Sequence, residues 1–227
     1  MDLHFLQEDI LKMKENIEKK KQRVLDIIKI FDKVYAGADC TLEYKSALQL
    51  LIATQLAAQC TDARVNLVTP ALFERYKTVQ DFADADPEEL SSFIRSTGFF
   101  RNKTKNIIAC CQKLISDFDG EVPQTMEELL TLPGVGRKTA NLVLGDIFGI
   151  PGIVVDTHAT RLANRMGFTV NKDPYKIEMD LLKIVPPEYQ SHFCHQLVYH
   201  GREFCDARKP RCGECPIKEF CPQLINR

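Results

Sequence analysis

The 227-residue sequence has no stretch long and apolar enough to span a bilayer. Its opening, MDLHFLQEDILKMKENIEKKKQRV, mixes acids, bases and apolar residues without an uninterrupted apolar block. That excludes a membrane anchor and a secretory leader and places the protein in the cytoplasm. An excess of positive charge is missing as well: the formal net charge is −1. Any attraction to nucleic acid must therefore come from local basic patches. Runs of alternating β-branched residues bounded by turns are nearly absent, and neither a dinucleotide fingerprint nor a phosphate loop follows a strand-like run. These absences disfavour β-rich folds and hydride-transfer or phosphate-loop enzymes. There is no low-complexity tract and no repeat at a fixed period.

Helix-period stripes dominate what is present. Leu6, Ile10, Met13 and Ile17 fall at i, i+4, i+7 and i+11, and Val24, Ile27, Ile28, Phe31, Val34 and Tyr35 carry an apolar face onward to about Ala36. Ser46 to Gln59 (SALQLLIATQLAAQ) is apolar nearly all round and predicts a helix at the centre of a bundle. Asp62 is an N-cap candidate for the next helix, and Asp86-Pro87 opens another with proline at its first position. Further helices are predicted over 103–118, 126–130, 136–148, 156–166, 174–185 and 188–204, with a domain hinge near 150 in the GIPG break. With 44% hydrophobic and 27% charged residues the chain can bury a substantial core.

Nine cysteines, an odd number in a reducing compartment, argue against a disulfide framework. Four of them, Cys205, Cys212, Cys215 and Cys221, form C-x6-C-x2-C-x5-C near the C-terminus. Four thiolates around so short a segment can hold a tetrahedral metal or an iron–sulfur cluster, with unliganded thiols the plain alternative. The single C-x2-C knuckle favours the cluster over zinc, whose ribbons use two such pairs. Cys40, Cys60, Cys110, Cys111 and Cys194 lie on or beside predicted helices as free thiols, and His195 and His200 are structural or phosphate contacts.

The segment EELLTLPGVGRKTANLVLG predicts a short helix, a tight turn and a second helix starting near Gly136. Glycines at Gly134 and Gly136 let a nucleic-acid backbone approach, and the free N–H groups at the helix start favour phosphate. Lys138, one turn in, stands where a cation is disfavoured. An unperturbed lysine is a free amine in only about one molecule in 2,500 at pH 7. The field of the helix start, the neighbouring Arg137 and partial burial are expected to lower its pKa and make it a nucleophile; a solvated surface lysine is the plain alternative. Asp156, in VVDTHATRLANR, is either a helix cap or a carboxylate that assists proton transfer and stabilises a cationic transition state.

LPGVGRKTA, VDTH 18 residues beyond the lysine, and the four-cysteine tail together resemble endonuclease III, a bifunctional DNA glycosylase and abasic-site lyase of the helix-hairpin-helix and Gly/Pro-Asp superfamily. The resemblance covers roughly residues 24 to 227. It implies an all-α fold of two domains: a helical barrel over 40–150 carrying the hairpin, and an iron–sulfur domain of residues 151–227 together with residues 1–39, of which 1–23 extend beyond the family core. By motif, Lys138 is the Schiff-base nucleophile, Asp156 the catalytic aspartate, and Cys205, Cys212, Cys215 and Cys221 ligate a 4Fe-4S cluster.

Gln59 in AAQCTD matches the residue that fills the vacated stack, Phe99 in STGFFRNKTKNI the apolar wedge, and His158 a contact beside the lesion. Gly134, Gly136 and Arg137 face the DNA backbone, Arg101, Lys103 and Lys105 flank the wedge, and Arg208, Lys209 and Arg211 stand between the first two cluster cysteines. The implied partner is double-stranded DNA with oxidised or ring-damaged pyrimidines or abasic sites, bound by a monomer with no membrane. Ala57 stands where the family often has a small polar residue. The related adenine glycosylases lack the lysine, place a glutamate on the helix matching Leu50 to Gln59 and add a C-terminal domain; none of these features is present here. A non-catalytic DNA-binding scaffold would need the hairpin and the cluster but not both Lys138 and Asp156.

Overall fold

The computed structural model describes residues 15–225. The stripe from Leu6 to Met13 lies outside the described residues. Within them every regular element is helical, with eleven α-helices, three short 3₁₀ turns and no strand.

The chain divides into two compact units, Cys40–Ile150 and Met1–Asp39 with Pro151–Arg227. In Cys40–Ile150 the central element is α2 (Ala47–Leu56), entered through the N-cap Ser46, with Leu50 to Leu56 all buried. A helix apolar on every side must be surrounded, and α8 (Arg137–Phe148) and α6 (Phe100–Phe118) pack against it. It stops at Leu56, three residues before Gln59, so Gln59 lies in the following turn and not on the helix predicted for it. Thr61, not Asp62, caps α3 (Asp62–Arg75), accepting from the Arg64 N–H at 3.3 Å. A short α4 (Val79–Ala83), which the apolar periodicity does not predict, is held by a capping box of Thr78 and Asp81. Asp86 caps α5 (Pro87–Ile94) as predicted. α7 (Met126–Leu129) leads to the hairpin turn and α8, which Gly149 closes in a left-handed conformation at φ 64°.

The other unit joins both ends of the chain. α1 (Ile17–Val34) buries Val24, Ile27, Ile28 and Phe31. These meet residues of α9 (Thr157–Arg165), α10 (Pro174–Leu182) and α11 (Gln190–Glu203) in a single core. Phe31 packs on Tyr35, Phe193 and His200 with ring centroids 5.4, 6.2 and 4.8 Å apart. Arg23 on α1 donates to the Met166 carbonyl at 2.8 Å and the Phe220 carbonyl at 3.0 Å. The first helix among the described residues thus reaches directly into the terminal cysteine segment.

Candidate functional site

The hairpin turn places its two glycines in different circumstances. Gly134 has φ +77°, and a Cβ there would stand 2.6 Å from Gln55 Oε1 and 2.9 Å from Asn106 Cβ. Only glycine meets both the conformation and the close approach. Gly136 has φ −108°, and a Cβ added to it would meet nothing within 4 Å; as the N-cap of α8 it offers no side chain to the helix. Its turn is open on the outside, as an anion-binding helix start requires.

Lys138, in the first turn of α8, is exposed. The partial burial expected for it is absent, because the second position of the helix projects away from the face that buries Ala140, Asn141, Val143 and Leu144. Arg137 beside it is half-buried. In the other unit Asp156 caps α9, its Oδ1 accepting from the Ala159 N–H at 2.7 Å. His158 Nδ1 pairs with Arg161 Nη2 at 3.1 Å, and Gly201 lies so close that a Cβ there would fall within 2.4 Å of that ring nitrogen. The pairing fixes the orientation of the His158 ring.

Gln59 and Phe99 share an unusual backbone. Both are exposed, Phe99 to 63%, and both adopt left-handed conformations, at φ 55° and 48°. Such a residue costs about 1–2 kcal/mol relative to right-handed backbone. With Gln55, Asn102, Asn106 and Gly134 they line an open cavity of about 200 Å³. Lys103, expected on the basic face beside Phe99, is instead buried, with Nζ donating to the carbonyls of Leu56 and Thr97 at 2.7 and 2.8 Å. Arg101 and Lys105 remain exposed on the same helix.

Cys205, Cys212, Cys215 and Cys221 line one small cavity with Met166, Phe204 and Ile217. Burial pushes the Cys221 thiol up to about 11, and burial also raises Cys215, with the neighbouring Cys205 and Cys212 adding to it. Thiols this close disfavour one another's ionisation until a metal takes the charge. Among the described residues no three His, Cys, Asp or Glu side chains are placed to ligate a single metal ion. An iron–sulfur cluster instead takes its thiolates on separate iron atoms, and an all-sulfur donor set in an apolar wall fits that group.

Arg165, which sequence reasoning did not single out, supports the loop. Arg165, 8% exposed, donates to the Cys205 Sγ at 3.3 Å and to the carbonyls of Cys205, Asp206 and Ala207 at 3.3, 2.7 and 2.8 Å. His200 is buried, with Nδ1 3.1 Å from the Tyr35 hydroxyl and Nε2 3.5 Å from Cys215 Sγ; burial pushes its pKa down to about 4. Its role in the fold is structural. Arg208 and Lys209 are exposed on a turn whose N–H groups donate to Asp206 Oδ1 at 2.8 and 3.0 Å. Arg211 is also exposed, but it folds back on the Glu203 carbonyl and lies over the Phe204 ring at 5.0 Å. Of the remaining thiols, Cys110, Cys111 and Cys194 are buried and Cys40 and Cys60 half-buried, none in a disulfide.

A hairpin with an open helix start, a capping aspartate and a four-thiol loop define a class, and comparison with known families gives the same one. The family model described as HhH-GPD superfamily base excision DNA repair protein matches residues 52–187. A second model, the iron–sulfur binding domain of endonuclease III, matches residues 205–221, from the first cysteine of the tail to the last. The chain belongs to the endonuclease III family. It is 55% identical over 204 residues to endonuclease III of Synechocystis, covering 89% of this chain and 93% of that one. With endonuclease III of Escherichia coli K12 it shares 43% identity over 180 residues, covering 79% and 85%. A solved covalent intermediate of endonuclease III trapped on DNA, an estranged-adenine complex, superposes with a TM-score of 0.85 at 43% identity, over 89% of this chain and 96% of that one. A thermostable thymine-DNA glycosylase at 22% identity shares the fold, with a TM-score of 0.81. Among the described residues no helix is long and apolar enough to cross a membrane.

Proposed function

We propose that the chain removes oxidised or ring-damaged pyrimidines from duplex DNA and cleaves the resulting abasic site through a Schiff base on Lys138, acting as a cytoplasmic monomer. The observation that carries this reading is the exposed Lys138 amine one turn into α8, behind a glycine turn that no side chain caps. The phosphate backbone docks on the N–H groups of that turn. Approach of DNA supplies the desolvation that the protein alone does not give Lys138.

The free amine attacks C1′ of the lesion sugar, and the glycosidic bond breaks with the base taking the bonding pair and a proton. Cleavage of the C1′–O4′ bond, with O4′ taking the bonding pair and a proton, then leaves an iminium between Lys138 and C1′; at an abasic site, where C1′ carries an aldehyde or hemiacetal oxygen, addition of the amine and loss of water give the same iminium. That iminium acidifies C2′; removal of a C2′ proton expels the 3′ phosphate by β-elimination, and water then hydrolyses the imine to return the amine. Asp156 assists these proton transfers and stabilises the cationic sugar. Gln59 fills the space of the flipped nucleotide and Phe99 wedges the opposite stack, so that flipping, a few kcal/mol, is offset by new contacts. Gly134, Gly136, Arg137 and His158 hold the lesion strand, and Arg208 and Lys209, with Arg211, meet phosphates further along. The 4Fe-4S cluster, held by Cys205, Cys212, Cys215 and Cys221, supplies the cross-link that keeps this basic turn folded.

Borohydride reduction in the presence of duplex DNA with one abasic site tests the proposal. The wild type should give a covalent adduct and Lys138→Ala none. DNA binding without any adduct in the iron-loaded wild type would overturn the lyase assignment.

A further inference from the structure

Two helical segments end at one buried ammonium. Leu56 is the last residue of α2, and Thr97 the last of the 3₁₀ turn Arg95–Thr97; Lys103 Nζ donates to both carbonyls, at 2.7 and 2.8 Å. Terminal carbonyls carry the negative end of the helix dipole and lack intrahelical partners, so a cation satisfies them well. Each pinned carbonyl is followed closely by an exposed left-handed residue: Gln59 three positions after Leu56, and Phe99 two positions after Thr97.

We propose that Lys103 is a positioning residue for nucleotide flipping: it locks the two strained turns that present Gln59 and Phe99, so that both enter the duplex as one rigid fork. The proposal rests on the reading that Gln59 and Phe99 are the residues that enter the stack. Left-handed backbone at a non-glycine residue persists only where the surroundings over-determine it. Gln59 and Phe99 are themselves exposed; the constraint comes from the backbone on the inner side of each turn, where Lys103 sits. Burial disfavours the Lys103 ammonium and pushes its pKa down, with the Cys60 sulfur opposing it; the two carbonyls are the hydrogen-bond partners this buried group has in place of water. Lys103 also borders the cavity shared by Gln59, Phe99 and the hairpin residue Gly134, so one side chain braces both of the strained turns on that wall.

The test separates flipping from chemistry. Lys103→Met and Lys103→Arg are compared with wild type in single-turnover base excision from duplex DNA and in cleavage at an abasic site in a single strand, where no stack has to be filled. Misplacement by about 1 Å costs on the order of 100-fold. Duplex excision should fall by that factor in Lys103→Met and by less in Lys103→Arg, which keeps the charge, while single-strand cleavage stays within about two-fold of wild type. Should Lys103→Met not fold, Lys103→Arg carries the same comparison. Equal loss on both substrates means a general structural role, and loss on neither means no role; either result overturns the proposal.

A double-mutant cycle reads the route of action. In a Gln59→Ala, Phe99→Ala background the Lys103→Arg effect should vanish, whereas multiplying effects would show that Lys103 acts elsewhere. If Gln59→Ala and Phe99→Ala themselves leave duplex excision unchanged, the reading of those two residues fails, separately from that of Lys103.

Discussion

α2 in Cys40–Ile150 has its last seven residues buried, while from Cys205 to Ile225 in the other unit only Ile217 is buried. Cys40–Ile150 is held by apolar packing of the kind that hydrophobic area alone explains. The cysteine tail is held by polar contacts instead: Arg165 on three carbonyls and a sulfur, Arg161 on the carbonyls of Cys205 and Gly201, and Arg23 on Met166 and Phe220. A short loop cannot bury enough to fold by itself, so it borrows donors from the helices beneath it and a metal from solution.

The sharpest way to break this contrast is to remove a ligand. Cys212→Ser should abolish iron content and cost the Met1–Asp39 and Pro151–Arg227 unit roughly 5 kcal/mol or more, while Cys40–Ile150 keeps its own cooperative transition. Calorimetry with iron analysis checks this; one unfolding transition shifted as a whole would show that the units are not independent. Next in size, Arg165→Met strips a buried guanidinium from three carbonyls and should cost about 3 kcal/mol, with iron lost to a chelator at least tenfold faster.

Within the hairpin, Gly134→Ala should cost about 2–3 kcal/mol in urea unfolding, from its left-handed φ and the contact with Gln55 and Asn106. Gly136→Ala, with open space around it, should stay within about 1 kcal/mol and weaken DNA binding instead. The smallest effect concerns Asp180. Burial pushes its carboxyl up, but hydrogen bonds from Thr169, Asn171 and Lys183 outweigh it and leave its pKa below the ordinary value. The folded pKa being the lower one, this stabilisation is complete above the ordinary carboxylate range and is lost as pH falls through the folded value. Asp180→Asn should cost about 1 kcal/mol at pH 7 and nothing in strong acid, which urea titrations at the two pH values check.

Most helices are legible in the sequence because their periods and caps are local: Asp86-Pro87, Gly149 and the stripe of α1 need no tertiary knowledge. The ends of helices are less so. At the end of α2 the Leu56 carbonyl is taken by Lys103 Nζ, a contact 47 residues distant that no local pattern shows. Lys103 itself leaves a signal that its charge obscures. It stands with Ile107, Cys110 and Leu114 at i, i+4, i+7 and i+11, on the buried stripe of α6; a lysine on such a stripe is a buried lysine. The exposure of Lys138 follows from its position around α8, which the chemistry expected of a nucleophile does not reveal. Nothing local marks Arg165 as a support of the cysteine loop, since its partners lie about 40 residues further on.

Arg23 adds a matter of timing. A ribosome releases the chain from its N-terminus, and units fold as they emerge. Cys40–Ile150 is complete once Ile150 is out. α1 has been waiting longer, yet its partners Phe193, His200 and Phe220 are made only after that unit. During synthesis its apolar face stays uncovered while the unit that follows it in the chain folds first. All four cysteines are present to take iron only after Cys221 has appeared, so metal loading comes after the whole of Cys40–Ile150 has been made.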